Sequence, residues 1–174
     1  MKKLGIMLLL CCLFLTGCGG ESQSVSNDKE EEKAVVELSK VRDAMEQAVL
    51  DLPEMTLVDA SDEMTAADLF SQLSTIDYEK VDDFFYMTAT NQSEKKSAEE
   101  LAVIQLKDSY DAADALASVK EHVKSRSLTF ENYMPELVPM INRAEMFAYD
   151  KYVVLIIAKN QDEVKDVFYD VIGK

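Results

Sequence analysis

The spacing of apolar residues along this chain changes several times, and each change marks a predicted element. Between Asp28 and Leu52, the positions Leu38, Val41, Met45, Ala48 and Leu52 recur three and four apart, as on one face of a helix. Glu30, Glu31 and Glu32 put negative charge at the start of that helix, where the backbone dipole favours it, and Pro53 stops it. A shorter helix is expected to open near Thr65, because Thr65 and Asp68 have capping spacing ahead of Leu69, Phe70 and Leu73. Asp82 to Ala89 (DDFFYMTA) is rich in aromatic residues and reads as a strand. A polar loop, Thr90 to Ala98, leads to a second strand, Glu100 to Leu106. Helical spacing returns from Ser109 to about Arg126 through Ala112, Leu116, Val119 and Val123, with Asp108 or Ser109 as the N-cap. Two prolines between Tyr133 and Pro139 limit that stretch to a turn or short helix. Arg143 to Tyr149 and Tyr152 to Lys159 read as strands joined at Asp150-Lys151. A last helix covers Gln161 to Ile172, with Asn160 and Glu163 as a cap pair and Gly173 as its end.

These elements predict an α+β fold: an antiparallel sheet of about four strands, arranged hairpin–helix, hairpin–helix, with packed helices and an N-terminal amphipathic helix. Leu101 to Asp108 and Val153 to Asn160 align at an offset of 52, each running from an apolar strand into a helix. Such a match is left by an internal duplication or by convergence of short strand-to-helix segments. The nearly unbroken apolar run Tyr152 to Ala158 points to an inner strand covered on both faces, with the N-terminal helix a candidate for the second cover.

The first residues follow a different logic. Lys2 and Lys3 precede an apolar run of eleven residues, Gly5 to Leu15, which is shorter than the roughly 20 needed to span a bilayer. Leu15-Thr16-Gly17-Cys18 resembles the lipobox of bacterial lipoproteins. That resemblance implies a signal peptide over residues 1–17, cleavage after Gly17 and diacylglycerol on the Cys18 thiol. Two acyl chains on one residue give stable anchoring where one is marginal. Residues 18–33 are then the lipidated cysteine and a flexible tether containing GGESQSVSN, and residues 34–174 form a single α+β domain.

Charge narrows the partners. The 174-residue chain carries a formal charge of −15, against nucleic acid and against anionic headgroups, so its expected link to the membrane is the lipid on Cys18. Cys11 and Cys12 lie in the expected signal peptide and Cys18 at the anchor, so residues 34–174 contain no thiol or disulfide. His122 is the only histidine, in KEHVK, and reads as a surface residue. Asp59, Asp62 and Glu63 come nearest to a calcium loop, but they lack its central glycine and terminal glutamate; a helix N-cap is the plainer reading. No Gly-rich phosphate cradle and no G-x-S-x-G turn occurs. No catalytic, metal or cofactor residues are expected. The aromatics Phe84, Phe85, Tyr86, Tyr133, Phe147, Tyr149 and Tyr152 are expected in core and sheet, with some of the tyrosines as candidates to line a groove.

Several stretches together carry a family resemblance: the lipobox, Ser97-Ala98-Glu99-Glu100-Leu101-Ala102-Val103, Lys107-Asp108, Tyr133 and Pro135, and Asp150-Lys151-Tyr152-Val153. The chain resembles small lipoproteins of Gram-positive anaerobes that share domain of unknown function four-three-five-eight. The resemblance implies a fold and a place, the extracytoplasmic face of the cell membrane, and carries no activity. The expectation is a non-enzymatic binding module for an envelope protein or a wall component. The competing reading is a carboxylate-dependent hydrolase of wall glycan, which needs two acids on one cleft, one with a raised pKa.

Overall fold

A strand that is apolar on both sides is stable only where both its faces are covered. The computed structural model, which describes residues 36–90 and 96–174, shows how this chain meets that demand. The expected signal peptide, Cys18, the expected tether and Glu30 to Glu32 lie outside the described residues. In chain order the elements are α1 (Leu38–Ala48), β1 (Met55–Asp59), α2 (Ala66–Phe70), β2 (Val81–Ala89), β3 (Glu100–Leu106), α3 (Ala112–Tyr133), α4 (Val138–Ile141), β4 (Glu145–Tyr149), β5 (Tyr152–Ile157) and α5 (Gln161–Ile172). The strands form one five-stranded antiparallel sheet in the order β1-β2-β3-β5-β4. β3 and β5 are central and every residue of each is buried.

Alternation along the strands divides the core in two. Phe84, Tyr86, Ala102, Ile104, Val153 and Leu155 face α2 and α3, whose Phe70, Ala115, Val119 and Phe130 pack on them. Phe85, Met87, Leu101, Val103, Val154 and Ile156 face α1 and α5. α1 contributes Leu38, Val41 and Met45, and α5 contributes Val164, Phe168 and Ile172, each an apolar stripe at helical spacing.

The structure corrects the sequence reading at several points. A fifth strand, β1, was not expected, because Met55 to Asp59 is a short edge strand with Leu57 exposed and so lacks alternation. α1 begins after an extended Glu37 and ends at Ala48, well short of Pro53. α3 continues past Arg126 to Tyr133, since Phe130 extends its buried stripe. As expected, both faces are covered and the N-terminal helix covers the face opposite α2 and α3, which it shares with α5. The offset of 52 also acquires a meaning: Val103 faces α1 and α5 whereas its counterpart Leu155 faces α3, and Ile104 and Ile156 are reversed in the same way. Each residue nonetheless keeps its relation to the helix that follows its own strand: Ile104 faces α3 and Ile156 faces α5, while Val103 and Leu155 face away from them.

Neither expected cap residue bonds the backbone of its own helix through its side chain. Thr65 donates from its hydroxyl to Asp62 Oδ2 at 2.7 Å. Asn160 keeps its expected pairing with Glu163, donating from Nδ2 to Oε2 at 2.6 Å, and its side chain also reaches the end of α1. Its Nδ2 donates to the Ala48 carbonyl at 2.9 Å, and its Oδ1 accepts from Leu50 N at 3.0 Å. Helix C-termini leave carbonyls without intrahelical partners, and here another element supplies the donor. Lys159 to Asp51 at 3.0 Å reinforces the junction. Asn160→Ala is expected to lower unfolding free energy by about 1–2 kcal/mol, the value of two side-chain bonds to backbone. Urea denaturation of the variant checks this, and an unchanged midpoint would remove the junction from the stability of the fold.

Candidate functional site

Glu100 opens β3 on the face that α3 covers, and its side chain is fully buried. A carboxylate withdrawn from water persists only with compensating donors, because its desolvation costs several kcal/mol. The register supplies the first. Glu100 lies opposite Thr88, so Tyr86, two residues along β2, is its diagonal neighbour on the same face. α3 supplies the others, His122 and Arg126, four apart and hence on one side of the helix. Tyr86 Oη donates to Glu100 Oε1 at 2.9 Å, and an Arg126 guanidinium nitrogen lies 3.0 Å from the same oxygen. His122 Nε2 lies 3.1 Å from Glu100 Oε2.

A carboxylate only accepts, so His122 carries its proton on Nε2. In the neutral ring, Nδ1 is left as an acceptor. The Tyr86 and His122 rings meet edge to face at 5.8 Å, and the Arg126 guanidinium lies 4.7 Å from the centre of the Phe130 ring. Burial and the adjacent Glu100 charge hold the Tyr86 phenol well above its ordinary pKa, so it remains a donor at any neutral pH.

This network backs a cavity of about 530 Å³. One wall is the segment Ser71 to Thr75 after α2; the other is the α3 stripe Asp114, Ala117, Ser118, Glu121, His122 and Ser125. Ser118 ties the walls together. Its Oγ accepts from Thr75 N at 2.7 Å and from Ser74 Oγ at 3.0 Å. A smaller hollow of about 200 Å³, lined by Arg126, Thr129 and Phe130, shares His122 and Ser125 with the first. The two form one polar depression along α3. A further hollow of about 190 Å³ lies between α1 and the sheet, lined by Arg42, Asp59, Ser61 and Asp83 among others. Burial pushes the Asp83 carboxyl up, helped by the charges of Asp59 and Asp82, while the Phe84 N–H opposes the rise.

The sequence-derived candidates are distributed unevenly over these features. Cys18 lies outside the described residues. His122, read as a surface residue, is mostly covered, with only 16 % of its side chain exposed. Asp59 ends β1 and accepts from Ser61, while Asp62 accepts from Met64 N and Thr65, which lowers its pKa; both are engaged in turn formation. Tyrosine is absent from the lining of the α3 cavity: Tyr133 is exposed at the helix end, and Tyr149 packs with Tyr169 and Lys174. The missed residues were Glu100, Arg126, Ser118 and Ser125. A glutamate starting an otherwise apolar strand, with Arg and His four apart on the next helix, was the available signal. Among the described residues, no group of three His, Cys, Asp or Glu side chains is placed to hold a metal ion.

Arg126→Ala strands the Glu100 charge in the interior and is expected to cost about 3 kcal/mol of stability, measured by chemical denaturation. A loss below about 1 kcal/mol would mean that water already reaches the carboxylate. Alkaline titration gives a second check. Because the folded state raises the Tyr86 pKa, the stabilisation is complete below the unfolded value of about 10 and is lost as pH climbs beyond it. Native protein should therefore show fewer phenolates than unfolded protein above that pH, with Tyr78 and Tyr152, also raised by burial, sharing in the deficit, and Tyr86→Phe should reduce it by one.

Comparison with curated proteins returned no match, and comparison with solved structures returned none. The sequence model of one family matches residues 57–158, more than half the chain, from within β1 to Ala158 just after β5, and it includes Tyr86, Glu100, His122 and Arg126. This chain belongs to the family of the domain of unknown function DUF4358.

Proposed function

We propose that this protein is a lipid-anchored extracytoplasmic lipoprotein whose α+β domain is a non-enzymatic binding module, with the depression along α3 as its ligand site. The observation that carries the binding reading is the cavity of about 530 Å³ in front of a buried, hydrogen-bonded network. Ligand sites commonly occupy roughly 300–1,000 Å³, and polar groups locked from behind hold their positions when a ligand arrives. The anchoring reading rests on Lys2, Lys3, the apolar run and the Leu15-Thr16-Gly17-Cys18 sequence. The proposed partner is an envelope protein or a wall component at the outer face of the cytoplasmic membrane.

A specific observation also favours a second reading, the carboxylate-dependent hydrolase of wall glycan. Asp59 and Asp83 line one hollow, and Asp83 has a raised pKa. Against it, the hollow is only about 190 Å³, below the usual range for a ligand, and Arg42 lies 3.5 Å from Asp59 within it.

The test compares wild type with Cys18→Ala in native membranes. Wild type is expected in the detergent-rich phase with acyl chains on Cys18, and the variant in the aqueous phase. Crosslinking from Ser125 is expected to capture a discrete envelope component with wild type. Soluble wild type lacking acyl chains would overturn the anchor. Release of sugar ends from purified wall by wild type, lost in Asp83→Asn, would replace the binding module with the hydrolase.

A further inference from the structure

Arg126 is the side chain of the α3 depression with the most unused bonding capacity. A guanidinium carries its N–H donors on a planar fork and has no acceptor of its own. Among the described residues, the polar partner of Arg126 is Glu100 Oε1, 3.0 Å from Nη1, and Nε is buried with no acceptor. A buried donor without a partner is costly, so one beside a hollow marks a place where an acceptor is wanted. The Nε–H and the Nη2–H next to it form the edge of the fork that takes both oxygens of one carboxylate. Phe130 lies under the flat face at 4.7 Å, which steadies the plane without occupying that edge. The Arg126 side chain is 17 % exposed and lines the smaller hollow, whose other lining residues include no carboxylate. Asp114 and Glu121 belong to the main cavity instead. The Ser125 hydroxyl, unpaired among the described residues, adds a neutral donor to the hollow.

Glu100 cancels the charge of Arg126, so an arriving anion needs a second cation. His122 can become one. Its Nε2 proton lies on Glu100, and a further proton on Nδ1 turns the ring into an imidazolium. The ionisable groups around it are Glu100 from β3, Tyr86 from β2, and Arg126, Asp114 and Glu121 from α3; the Ser71 to Thr75 wall brings none. With the imidazolium formed, two cations meet two carboxylates, and no uncompensated charge is enclosed.

We propose that the smaller hollow grips the carboxylate end group of a ligand on Arg126, and that His122 takes up a proton as the anion arrives. This rests on the reading of the α3 depression as a ligand site and names the group it holds. A hollow of about 200 Å³ suits an end group, and the rest of the ligand extends past His122 and Ser125 into the adjoining cavity of about 530 Å³. Because the imidazolium form predominates at lower pH, binding tightens as pH falls, down to the range near pH ~4 where the ligand carboxylate is itself protonated.

Full-length protein in detergent micelles, titrated calorimetrically with N-acetyl-dialanine, its C-terminal amide and glucuronate, tests the proposal. At about pH 6 a free acid should bind at least about tenfold more tightly than the amide, and at about pH 8 that preference should shrink. Arg126→Lys keeps a positive charge beside Glu100 but loses the fork, and should remove most of the preference for the acid. Ser125→Ala, at an exposed position and safe for the fold, should weaken the acid and spare the amide. His122→Gln retains a donor for Glu100 but cannot ionise, and should abolish the pH dependence. Binding of the peptide acid alone names a chain end as the source, and of glucuronate alone an acidic sugar; either supports the carboxylate assignment. Equal affinity for acid and amide, or a preference that survives Arg126→Lys and Ser125→Ala, overturns it. Acid binding that does not change with pH overturns the proton uptake. If no acid binds while crosslinks from Ser125 still capture an envelope component, the ligand class is wrong and the binding site stands. If neither occurs, both fall.

Discussion

A single buried carboxylate sets the terms for one half of this molecule. Glu100 stands at the entrance of a strand whose other residues are all buried, and it cannot be left there as an isolated charge. Its demand for donors links three elements: β3 carries it, β2 brings Tyr86 and α3 brings both His122 and Arg126. Apolar packing of Ala115, Val119, Val123 and Phe130 would hold α3 on the sheet with some freedom to slide. The hydrogen bonds to Glu100 remove that freedom, because a shift of one turn would leave the charge without partners. The position of the α3 cavity follows from this, since its inner wall is the same helix face one turn further along.

The same network shows how a polar cluster in a core differs from a polar surface. Each Glu100 oxygen is engaged, Tyr86 is held protonated, and His122 is restricted to one tautomer. Such groups reorganise little when a ligand approaches, which is the condition under which hydrogen bonds discriminate between ligands. By contrast, Asp59 and Asp62 are equally acidic in composition but close local turns.

Much of the fold was legible in the chain itself. β3 and α5 were readable to the residue, because Glu100–Leu106 and Gln161–Ile172 are bounded by clear changes of period and by polar or glycine punctuation. β1 was not, because an edge strand with Leu57 outward has no alternation to detect. Side-chain roles were less legible than elements. Asn160 and Thr65 have capping spacing, yet their bonds are decided by which neighbour comes near in three dimensions. The site was the least legible part. His122 in KEHVK is indistinguishable by pattern from a solvated helix face, and only the register that sets Glu100 beside Tyr86 reveals what lies beneath it. Glu100 itself belongs to the Ser97–Val103 stretch that carried the family resemblance, where it read as a strand entrance.

The junction at Asn160 has a mechanical consequence. Any pull on the chain ahead of Leu38 enters the domain through α1, which touches the sheet through its apolar stripe and α5 through side-by-side packing. At its far end α1 is fastened by Asn160 and by the Lys159–Asp51 pair to the corner where β5 turns into α5. Load is thus shared with β5, an inner strand hydrogen-bonded on both sides, and does not fall on the edge strand β1 alone. Under tension α1 acts as a buckle: it can peel from its free end while its fastened end stays in place, leaving the α3 face and its cavity undisturbed.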